Sequence, residues 1–270
     1  MANYATQPAK YATLLDGKIK DIASDQLHQL LSTRNAHNTS CWIITIHPKP
    51  NDPSNFEVGF ASRRVFEILW ERRIHDRIED IRHFYNLFTS NPVTSVAGGW
   101  TFELRLHQLL PKKQEIKLFT MTRHAALVNF LFNNHDKPSG PTIFKLPASQ
   151  ERELSSEVVK LKENSYYRPK SKNHPTIDSL LLFRNGRCGP CILLMFQFTL
   201  AQSHDVNLRG LEGLDKLQIP PGTKRYYVVV TPEFSSPTIV VPKQYVIEKE
   251  KRQESFEVLH LPVTPKYLFE

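Results

Sequence analysis

Two acidic side chains in apolar surroundings are the first candidates for chemistry. Glu103 lies in an apolar helical run, and His107 follows one turn later on the same face. Asp178 enters an apolar strand at residues 179–183, where a carboxylate is costly unless it is paired, coordinated or placed at the strand end. Taken alone, Glu103 is more typical of a surface carboxylate, so its significance depends on what the fold places beside it.

The strand that follows adds two polar side chains. Within the run Met-Phe-Gln-Phe-Thr, the two-residue period of a strand puts Gln197 and Thr199 on one face. The solvent side of a half-covered sheet would show the same pattern. If the two strands form a hairpin, Asp178 lies beside Gln197 and Thr199, and the helix that carries Glu103 closes the third side.

The sequence Cys-Gly-Pro-Cys at residues 188–191 matches the dithiol pattern of thioredoxin-like proteins. That chemistry requires the first cysteine at a helix N-terminus, whereas here the pattern follows Asn185-Gly186, a hairpin turn signal, and leads into a strand. One cysteine pair is half of a zinc site, and three cysteines in all do not make a disulfide framework. We therefore interpret the segment as a turn, in a chain from a reducing compartment.

The motifs of several common enzyme classes are missing from the sequence. Gly17-Lys18 is followed by isoleucine, so no phosphate-binding loop is present, and GxGxxG, HExxH and GxSxG do not occur. Simple nucleotide triphosphatases, kinases, zincins and α/β-hydrolases thereby lose their best support.

A short basic segment at residues 166–172 combines three cations, two adjacent tyrosines and no acid. Such a composition suits a phosphate backbone, with the rings stacking on unpaired bases. An exposed loop before a strand explains it equally well. Because no recognition helix or zinc finger is present, we expect any binding to be tolerant of sequence and sensitive to salt.

The order of elements predicts an α/β class, with a mixed sheet flanked by helices. A helical patch in residues 25–34, a strand at 41–46, a turn-rich segment at 47–55 and a long helix at 62–88 form a mostly helical connector, residues 1–95. We expect a hinge at Ala97-Gly98-Gly99 and a second helix at 100–110. Strands then dominate residues 96–270, at 115–121, 142–146, 157–161, 177–183, 191–200 and 225–232, with one more helix at 206–217.

Composition limits the partners. The 270 residues carry a net charge of +8 and a pI near 9.3, which favours a polyanion such as nucleic acid. No stretch approaches the roughly 20 apolar residues of a spanning helix, and the N-terminus lacks the apolar core of a signal peptide. We therefore expect no membrane association and an intracellular location.

The order of the polar residues resembles the PD-(D/E)XK nuclease superfamily: an acid on a helix, an aspartate on one strand, then Glu/Gln-x-Lys on the next. Flanking motifs between about residues 40 and 235 are similar to the C-terminal part of fungal Crinkler and retrotransposon-hot-spot (RHS)-like proteins. They include Ala-Ser-Arg at 61–63, Arg-His-Phe-Tyr-Asn-Leu-Phe at 82–88, Gly-Gly-Trp-Thr-Phe-Glu at 98–103, Tyr-Tyr-Arg-Pro at 166–169, Pro-Thr-Ile-Asp at 175–178, Phe-Gln-Phe-Thr at 196–199 with His204, and Tyr-Tyr-Val-Val-Val-Thr-Pro at 226–232.

The resemblance implies a restriction-endonuclease-like core preceded by the tail of a P-loop NTPase module. It implies a metal-dependent nucleic-acid phosphodiesterase, acting on DNA without strong sequence preference, in an effector or mobile-element protein of the nucleus. Mg²⁺ or Mn²⁺ would be held by Glu103, Asp178 and Gln197, and the catalytic positions would be these three and Thr199. Nucleic-acid contacts would come from Tyr166, Tyr167, Arg168, Lys170, Lys172 and His204.

One departure from the pattern leaves alternatives open. Thr199 stands where most members carry lysine, and a neutral hydroxyl cannot stabilise negative charge as an ammonium does. The cation would then be Arg168, Lys170, Lys172 or His204. One alternative is a degenerate nuclease fold that binds nucleic acid or a host protein without turnover. Another is a regulatory or assembly segment of a larger NTPase.

Overall fold

The computed structural model describes residues 17, 44–49, 52–71, 78–89, 95–124, 129–133, 140–154, 160–170, 174, 176–186 and 188–270. The chain forms two compact units, residues 1–102 with 269–270, and residues 103–268. The division lies between Phe102 and Glu103, inside a helix, whereas the sequence suggested a boundary at residues 95/96. The helical patch in residues 25–34 lies outside the described residues.

The first unit contains a hairpin and helical segments. Strands β1 (Ile44–Lys49) and β2 (Asp52–Phe60) pair antiparallel, so the turn is shorter than the predicted segment at 47–55. The helical segments are α1 (Arg63–Leu69), α2 (Ile78–Thr89) and the start of α3 (Ser95–Leu109). Phe66 is buried against Phe60 and Trp100, with ring centroids 5.1 and 5.8 Å away, and forms an aromatic centre for this unit.

The predicted hinge at Ala97-Gly98-Gly99 is wrong. Helix α3 begins at Ser95 and continues through both glycines to Leu109. The hydroxyl of Thr101 donates to the carbonyl of Ala97 at 3.0 Å across that turn. The glycines therefore lie inside the helix that carries Glu103, where they cost helix propensity but do not end it.

The second unit is built mainly of strands. Its elements after α3 are β3 (Gln114–Thr120), β4 (Thr122–His124), β5 (Phe130–Asn133), β6 (Thr142–Leu146), β7 (Gln150–Leu154), β8 (Ser165–Pro169), β9 (Ser179–Arg184), β10 (Cys191–Phe198), β11 (Ser203–Asp205), α4 (Leu208–Asp215), β12 (Lys224–Pro232), β13 (Thr238–Val241), α5 (Lys243–Lys251), β14 (Glu257–Val263) and α6 (Pro265–Phe269). Of the predicted strand at 157–161, residues 157–159 lie outside the described part of the chain, and Lys160 forms an isolated bridge with Gln218.

Eight strands form a mixed sheet in the order β6-β3-β14-β12-β10-β9-β8-β7. Strands β10, β12 and β14 run parallel, while β9 is antiparallel to both of its neighbours. All eight residues of β10 are buried, as expected for a central strand covered on both faces. The predicted mixed sheet flanked by helices is confirmed.

The main apolar core lies on one face of this sheet. A second sheet of four strands, β11-β13-β5-β4, contributes Ile239 and Phe132 to the core. Helices α4 and α5 add Leu211, Leu214 and Val246. The side chain of Asn207 caps α4 by accepting from the backbone N–H of Arg209 at 2.9 Å, which fixes the start of that helix.

The two outer strands of the eight-stranded sheet differ in charge. Strand β7 reads Gln-Glu-Arg-Glu-Leu, with three charged residues in five. Strand β6 reads Thr-Ile-Phe-Lys-Leu, with one charge, and Ile143 is 51 % exposed. Among the described helices, none is long and apolar enough to cross a membrane.

Candidate active site

The turn between β9 and β10 sets the register of the candidate site. Residues 185–190 close the hairpin, with the N–H of Asn185 donating to the carbonyl of Pro190 at 3.2 Å. Gly186 has φ +78°, a conformation that favours glycine, and a Cβ at Gly189 would overlap the carbonyl of Asn185. The interpretation of the cysteine pair as part of a turn is confirmed, since Cys191 begins β10.

Asp178 lies beside Gln197, as the predicted hairpin requires. Its backbone N–H donates to the carbonyl of Phe196 at 2.8 Å, so Asp178 continues the ladder one residue before β9. Its Oδ2 accepts from the N–H of Phe198 at 2.6 Å and from Nε2 of Gln197 at 2.9 Å. Two donors to one carboxylate oxygen stabilise the charge and hold the side chain in place.

Glu103 and His107 share one face of α3, as predicted. The Nε2 atom of His107 is 3.6 Å from Oε1 of Glu103. On its other side, Nδ1 of His107 is 2.8 Å from the hydroxyl of Tyr166, which donates to Oγ of Ser179 at 2.8 Å. Which of Nδ1 and the tyrosine hydroxyl donates in this contact depends on the tautomer of His107.

We call this chain of contacts, Glu103–His107–Tyr166–Ser179, the polar relay. Tyr166 and Ser179 have no exposed surface and His107 is 4 % exposed, so the relay runs through the interior. Buried polar groups are retained at a cost unless their hydrogen bonds are satisfied, and here each member has a partner. The relay joins the helix acid to the residue that follows Asp178.

The polar relay and the side chain of Gln197 lie on opposite faces of the sheet. Ser179 pairs with Phe196 on the α3 side of the sheet, whereas Gln197 shares the opposite face with Met195, a residue of the main core. Asp178 stands where the strand starts, between these two groups. Burial raises the pKa of Tyr166 on one face of the sheet and of Tyr227 on the other. The negative charge of Asp178 raises both pKa values further.

Thr199 follows β10 and is engaged in a local turn. Its backbone N–H donates to the carbonyl of Val230 at 3.0 Å, and its hydroxyl accepts from the N–H of Ala201 at 3.0 Å. The hydroxyl therefore stabilises the chain reversal after the strand. It supplies no positive charge to the candidate site.

The stacking role predicted for Tyr166 and Tyr167 is wrong. Both rings are buried, at 0 % and 2 % exposure, in strand β8, and the hydroxyl of Tyr167 accepts from the N–H of Lys162 at 2.7 Å. The adjacent cations suggested an exposed loop, but strand pairing on both sides of β8 decides the position of the rings.

The cations after these tyrosines lie near the start of β9. Tyr167 pairs with Leu180 in the antiparallel register of β8 and β9, so Arg168 comes beside the beginning of that strand. Arg168 is partly exposed. Burial raises the pKa of Tyr166, and the positive charge of Arg168 partly offsets this increase. Lys170 is exposed, and Lys172 lies outside the described residues.

His204 lies in β11 and does not provide a charge. Its Nε2 is buried and has no hydrogen-bond partner among the described residues, and burial lowers the pKa of the imidazole below its usual value. At neutral pH this side chain is therefore uncharged. Of the four cations proposed from the sequence, Arg168 has the best support.

A pair of polar residues near the same sheet end was missed from the sequence. Oγ1 of Thr231 and Nε2 of His260 are 2.8 Å apart; Thr231 lies near the carboxyl end of β12, next to the end of β10, and His260 lies in the middle of the parallel strand β14. Burial lowers the pKa of His260 to about 4. The signal was a histidine inside the apolar run Val-Leu-His-Leu-Pro-Val, but β14 itself was not predicted.

The donor types of the candidate site suit a hard divalent cation. Glu103 and Asp178 offer carboxylate oxygens and Gln197 an amide oxygen, and Mg²⁺ is commonly held by one or two carboxylates with several waters retained. In the part of the chain that the structure describes, no three His, Cys, Asp or Glu side chains form a group that could hold a metal. Water and the substrate phosphate would have to complete the coordination.

Comparison with known proteins adds no relative. No protein-family model, curated protein or solved structure matches the chain.

Proposed function

We propose that the protein is a metal-dependent phosphodiesterase that cleaves nucleic acid, with DNA as the substrate. The observation that carries the proposal is the arrangement around Asp178, which lies beside Gln197 and next to the end of the polar relay from Glu103. An acid on a helix, an aspartate at a strand start and Gln-x-Thr on the next strand reproduce the order of the PD-(D/E)XK pattern. The net charge of +8 favours a polyanionic substrate.

Each side chain has a role that follows from its contacts. Glu103 and Asp178 would hold Mg²⁺, and Gln197, whose Nε2 donates to Asp178 from the opposite face of the sheet, would keep that carboxylate in position. When bound, the metal would activate water and offset the charge that develops on the phosphate. His107 orients Glu103 from the interior, and the N–H of Phe198 orients Asp178. Arg168 takes the place of the missing lysine as the cation near the start of β9.

The proposal is tested by incubating the purified chain with supercoiled plasmid and with single-stranded DNA, in Mg²⁺ or Mn²⁺, with EDTA as the metal-free arm. We expect metal-dependent cleavage that Asp178→Asn and Glu103→Gln each reduce by about 100-fold, since loss of a metal ligand removes charge stabilisation at the reaction centre. Arg168→Gln should reduce cleavage by about tenfold. Glu115→Gln, at an exposed position of β3, is the matched carboxylate control.

Cleavage that persists in both Asp178→Asn and Glu103→Gln would show that the active site has been assigned to the wrong residues. Each variant should therefore be compared with the parent by circular dichroism and thermal unfolding, so that lost activity is not confused with lost structure.

A second candidate function is nucleic-acid binding without turnover, by a degenerate form of the same fold. The observation that favours it is Thr199, whose hydroxyl is engaged by Ala201 where the pattern expects a lysine. Nε2 of Gln197 also donates to Asp178, which satisfies the carboxylate without a metal. Salt-sensitive DNA binding by a folded chain that cleaves neither substrate would favour this function over the first.

A further inference from the structure

A separate cavity lies between α4, α5 and the amino ends of β12 and β14. Its volume is about 580 Å³, within the range of small-molecule sites. Asp215, Arg225 and Lys249 line its charged side, and Tyr245 and Phe256 its aromatic side. None of these residues belongs to the candidate active site.

The cavity lining carries three cations and three carboxylates, of which Lys249 is the most buried; Lys224, Glu254 and Glu257 line it from exposed positions. Oδ1 of Asp215 accepts from Nη1 of Arg225 at 3.0 Å, from Nζ of Lys249 at 2.8 Å and from the hydroxyl of Tyr245 at 3.2 Å. The side chain of Lys249 is only 7 % exposed, and that of Asp215 is 23 % exposed. One carboxylate thus faces two cations in a partly dehydrated setting.

Glu254 supplies the balancing charge from the rim. Its Oε2 accepts from Nζ of Lys249 at 2.6 Å, and its side chain remains 49 % exposed. That hydrogen bond is the main cause of the lowered pKa of Glu254, which keeps this carboxylate ionised. A half-exposed glutamate on a buried lysine occupies the position that the anionic group of a ligand would take.

Arg225 has further donors in the same cavity. Within the described part of the chain, its Nε and Nη2 groups have no hydrogen-bond acceptor, and its side chain is 29 % exposed. A guanidinium with two adjacent free donors matches the geometry of a phosphate or carboxylate.

The remaining walls are rigid and partly aromatic. Pro220-Pro221-Gly222-Thr223 forms a tight turn, with Gly222 at φ +72° and the N–H of Thr223 donating to the carbonyl of Pro220 at 3.3 Å. The rings of Tyr245 and Phe256 meet edge to face with centroids 5.4 Å apart. Tyr245 is 6 % exposed and Phe256 is partly exposed, so a flat ring can lie against Phe256, which Tyr245 supports from behind. A preformed rim reduces the entropy lost on binding.

We propose that this cavity binds a small phosphate-bearing ligand with a flat ring, of the chemical class of nucleoside monophosphates. The ligand phosphate replaces the carboxylate of Glu254 on Lys249 and accepts from Arg225, while the ring lies against Phe256. The proposal does not depend on the nuclease function, because the two sites share no residue.

The test is calorimetric titration of the full chain with AMP, and with adenosine and inorganic phosphate as partial probes. We expect saturable AMP binding with a dissociation constant below about 1 mM, and weaker binding of either part alone. Glu254→Gln should tighten AMP binding by about tenfold, because the competing carboxylate is gone. Arg225→Gln should weaken it by about tenfold. Glu212→Gln, at an exposed position on α4 outside the cavity, makes the same change in net charge as Glu254→Gln and should have no effect on AMP binding.

Asp178→Asn shows which of the two sites binds AMP, because this variant alters the candidate active site and leaves the cavity intact. AMP binding that survives this change, but responds to Glu254→Gln and Arg225→Gln, supports the cavity. The proposal is overturned if AMP does not bind at millimolar concentration, if binding is the same in the Glu254 and Arg225 variants, or if Asp178→Asn abolishes it. Thermal unfolding of Arg225→Gln verifies that the variant folds, and Glu254→Gln tests the proposal independently.

Discussion

At the scale of single residues, the carboxylate of Asp178 has a structural role and a proposed catalytic role. Its carboxylate is held by a backbone N–H of the neighbouring strand and by Gln197, so its position is fixed before any ligand arrives. A carboxylate whose only role is to fix the start of a strand would show similar contacts. The difference lies in the polar relay, which ends at the next residue, Ser179, and connects it to a second acid on α3.

Removing the hydroxyl of Tyr166 should separate that structural role from a functional one. In Tyr166→Phe, Nδ1 of His107 and Oγ of Ser179 lose their shared partner, while the ring continues to fill the core. We expect the free energy of unfolding to fall by about 2 kcal/mol, since buried polar groups are left without a hydrogen bond. Metal-dependent cleavage should fall by about tenfold, because Glu103 is held less firmly. Urea unfolding and the plasmid assay measure the two effects.

The control is Tyr167→Phe, at the next position of the same strand. Its ring is equally buried, and its hydroxyl accepts from the N–H of Lys162, away from the relay. This variant should also lose stability but keep its rate of cleavage. Equal loss of activity in both variants would mean that the effect comes from general destabilisation of β8, and that the relay only supports the fold.

The sequence could predict only the local half of this site. Asp178 and Gln197 are 19 residues apart and joined by one hairpin, so strand alternation and a turn signal were sufficient to place them together. His107 and Tyr166 are 59 residues apart, on a helix and on a strand that was not predicted. Their contact depends on the register of the whole sheet, which no pattern of residue types encodes.

At the scale of elements, the β9–β10 turn decides whether Asp178 faces Gln197 at all. A shift of one residue in this register would move every side chain of one strand to the opposite face. Gly189 is packed against the backbone of Asn185, and Gly186 has a positive φ in open space. The two glycines therefore serve the turn for different physical reasons.

Alanine substitutions should distinguish those reasons. Gly186→Ala strains the backbone and should lower the free energy of unfolding by about 1 kcal/mol. Gly189→Ala forces the chain to move away from the carbonyl of Asn185 and should cost about 2 kcal/mol or more. Urea denaturation of both variants provides the comparison. If Gly189→Ala were the less destabilising of the two, the turn geometry described here would be incorrect.

Elements were predictable where burial on both faces produces a long apolar run. Strands β9, β10 and β12 are of this kind, and all three were predicted. Strand β7, with three charged residues in five, and β8, which ends in Arg-Pro, have compositions typical of loops. The two glycines of α3 suggested a hinge, but packing of the helix outweighs their low helix propensity.

At the scale of the whole molecule, buried histidines make stability depend on pH. His260 is 1 % exposed, and burial lowers its pKa to about 4, below the roughly 6.5 of an exposed imidazole. The unfolded chain therefore binds a proton at higher pH than the folded chain does. His260 therefore contributes about 3 kcal/mol to the free energy of unfolding above pH 6.5, and this contribution is lost as the pH falls toward 4. His174 and His204, whose pKa values burial also lowers, act in the same direction.

The prediction is checked by urea unfolding of the parent and of His260→Gln at pH 7 and pH 4. The variant should lose less stability across this interval, and the difference between the two chains isolates His260 from the acidic groups that also titrate. His124→Gln, at an exposed position, should match the parent. Identical pH dependence in the parent and in His260→Gln would contradict the assignment of the lowered pKa to that residue.

The sequence predicts a boundary at residues 95/96, and the structure divides into two compact units at a different position. A proline and a glycine pair near residues 91–99 suggested a break, whereas the contacts divide inside α3, after Phe102. The proposal that the first unit is the tail of an NTPase module stays a prediction.

The unequal charge of the two outer strands has a consequence for how the protein behaves at high concentration. A strand of another molecule that approaches β7 meets alternating acids and a base, and it must desolvate them to pair. The same approach to β6 meets one lysine and the exposed side chain of Ile143. Self-association by strand addition should therefore begin at β6, and intermolecular growth of the sheet would be directional, from one side only.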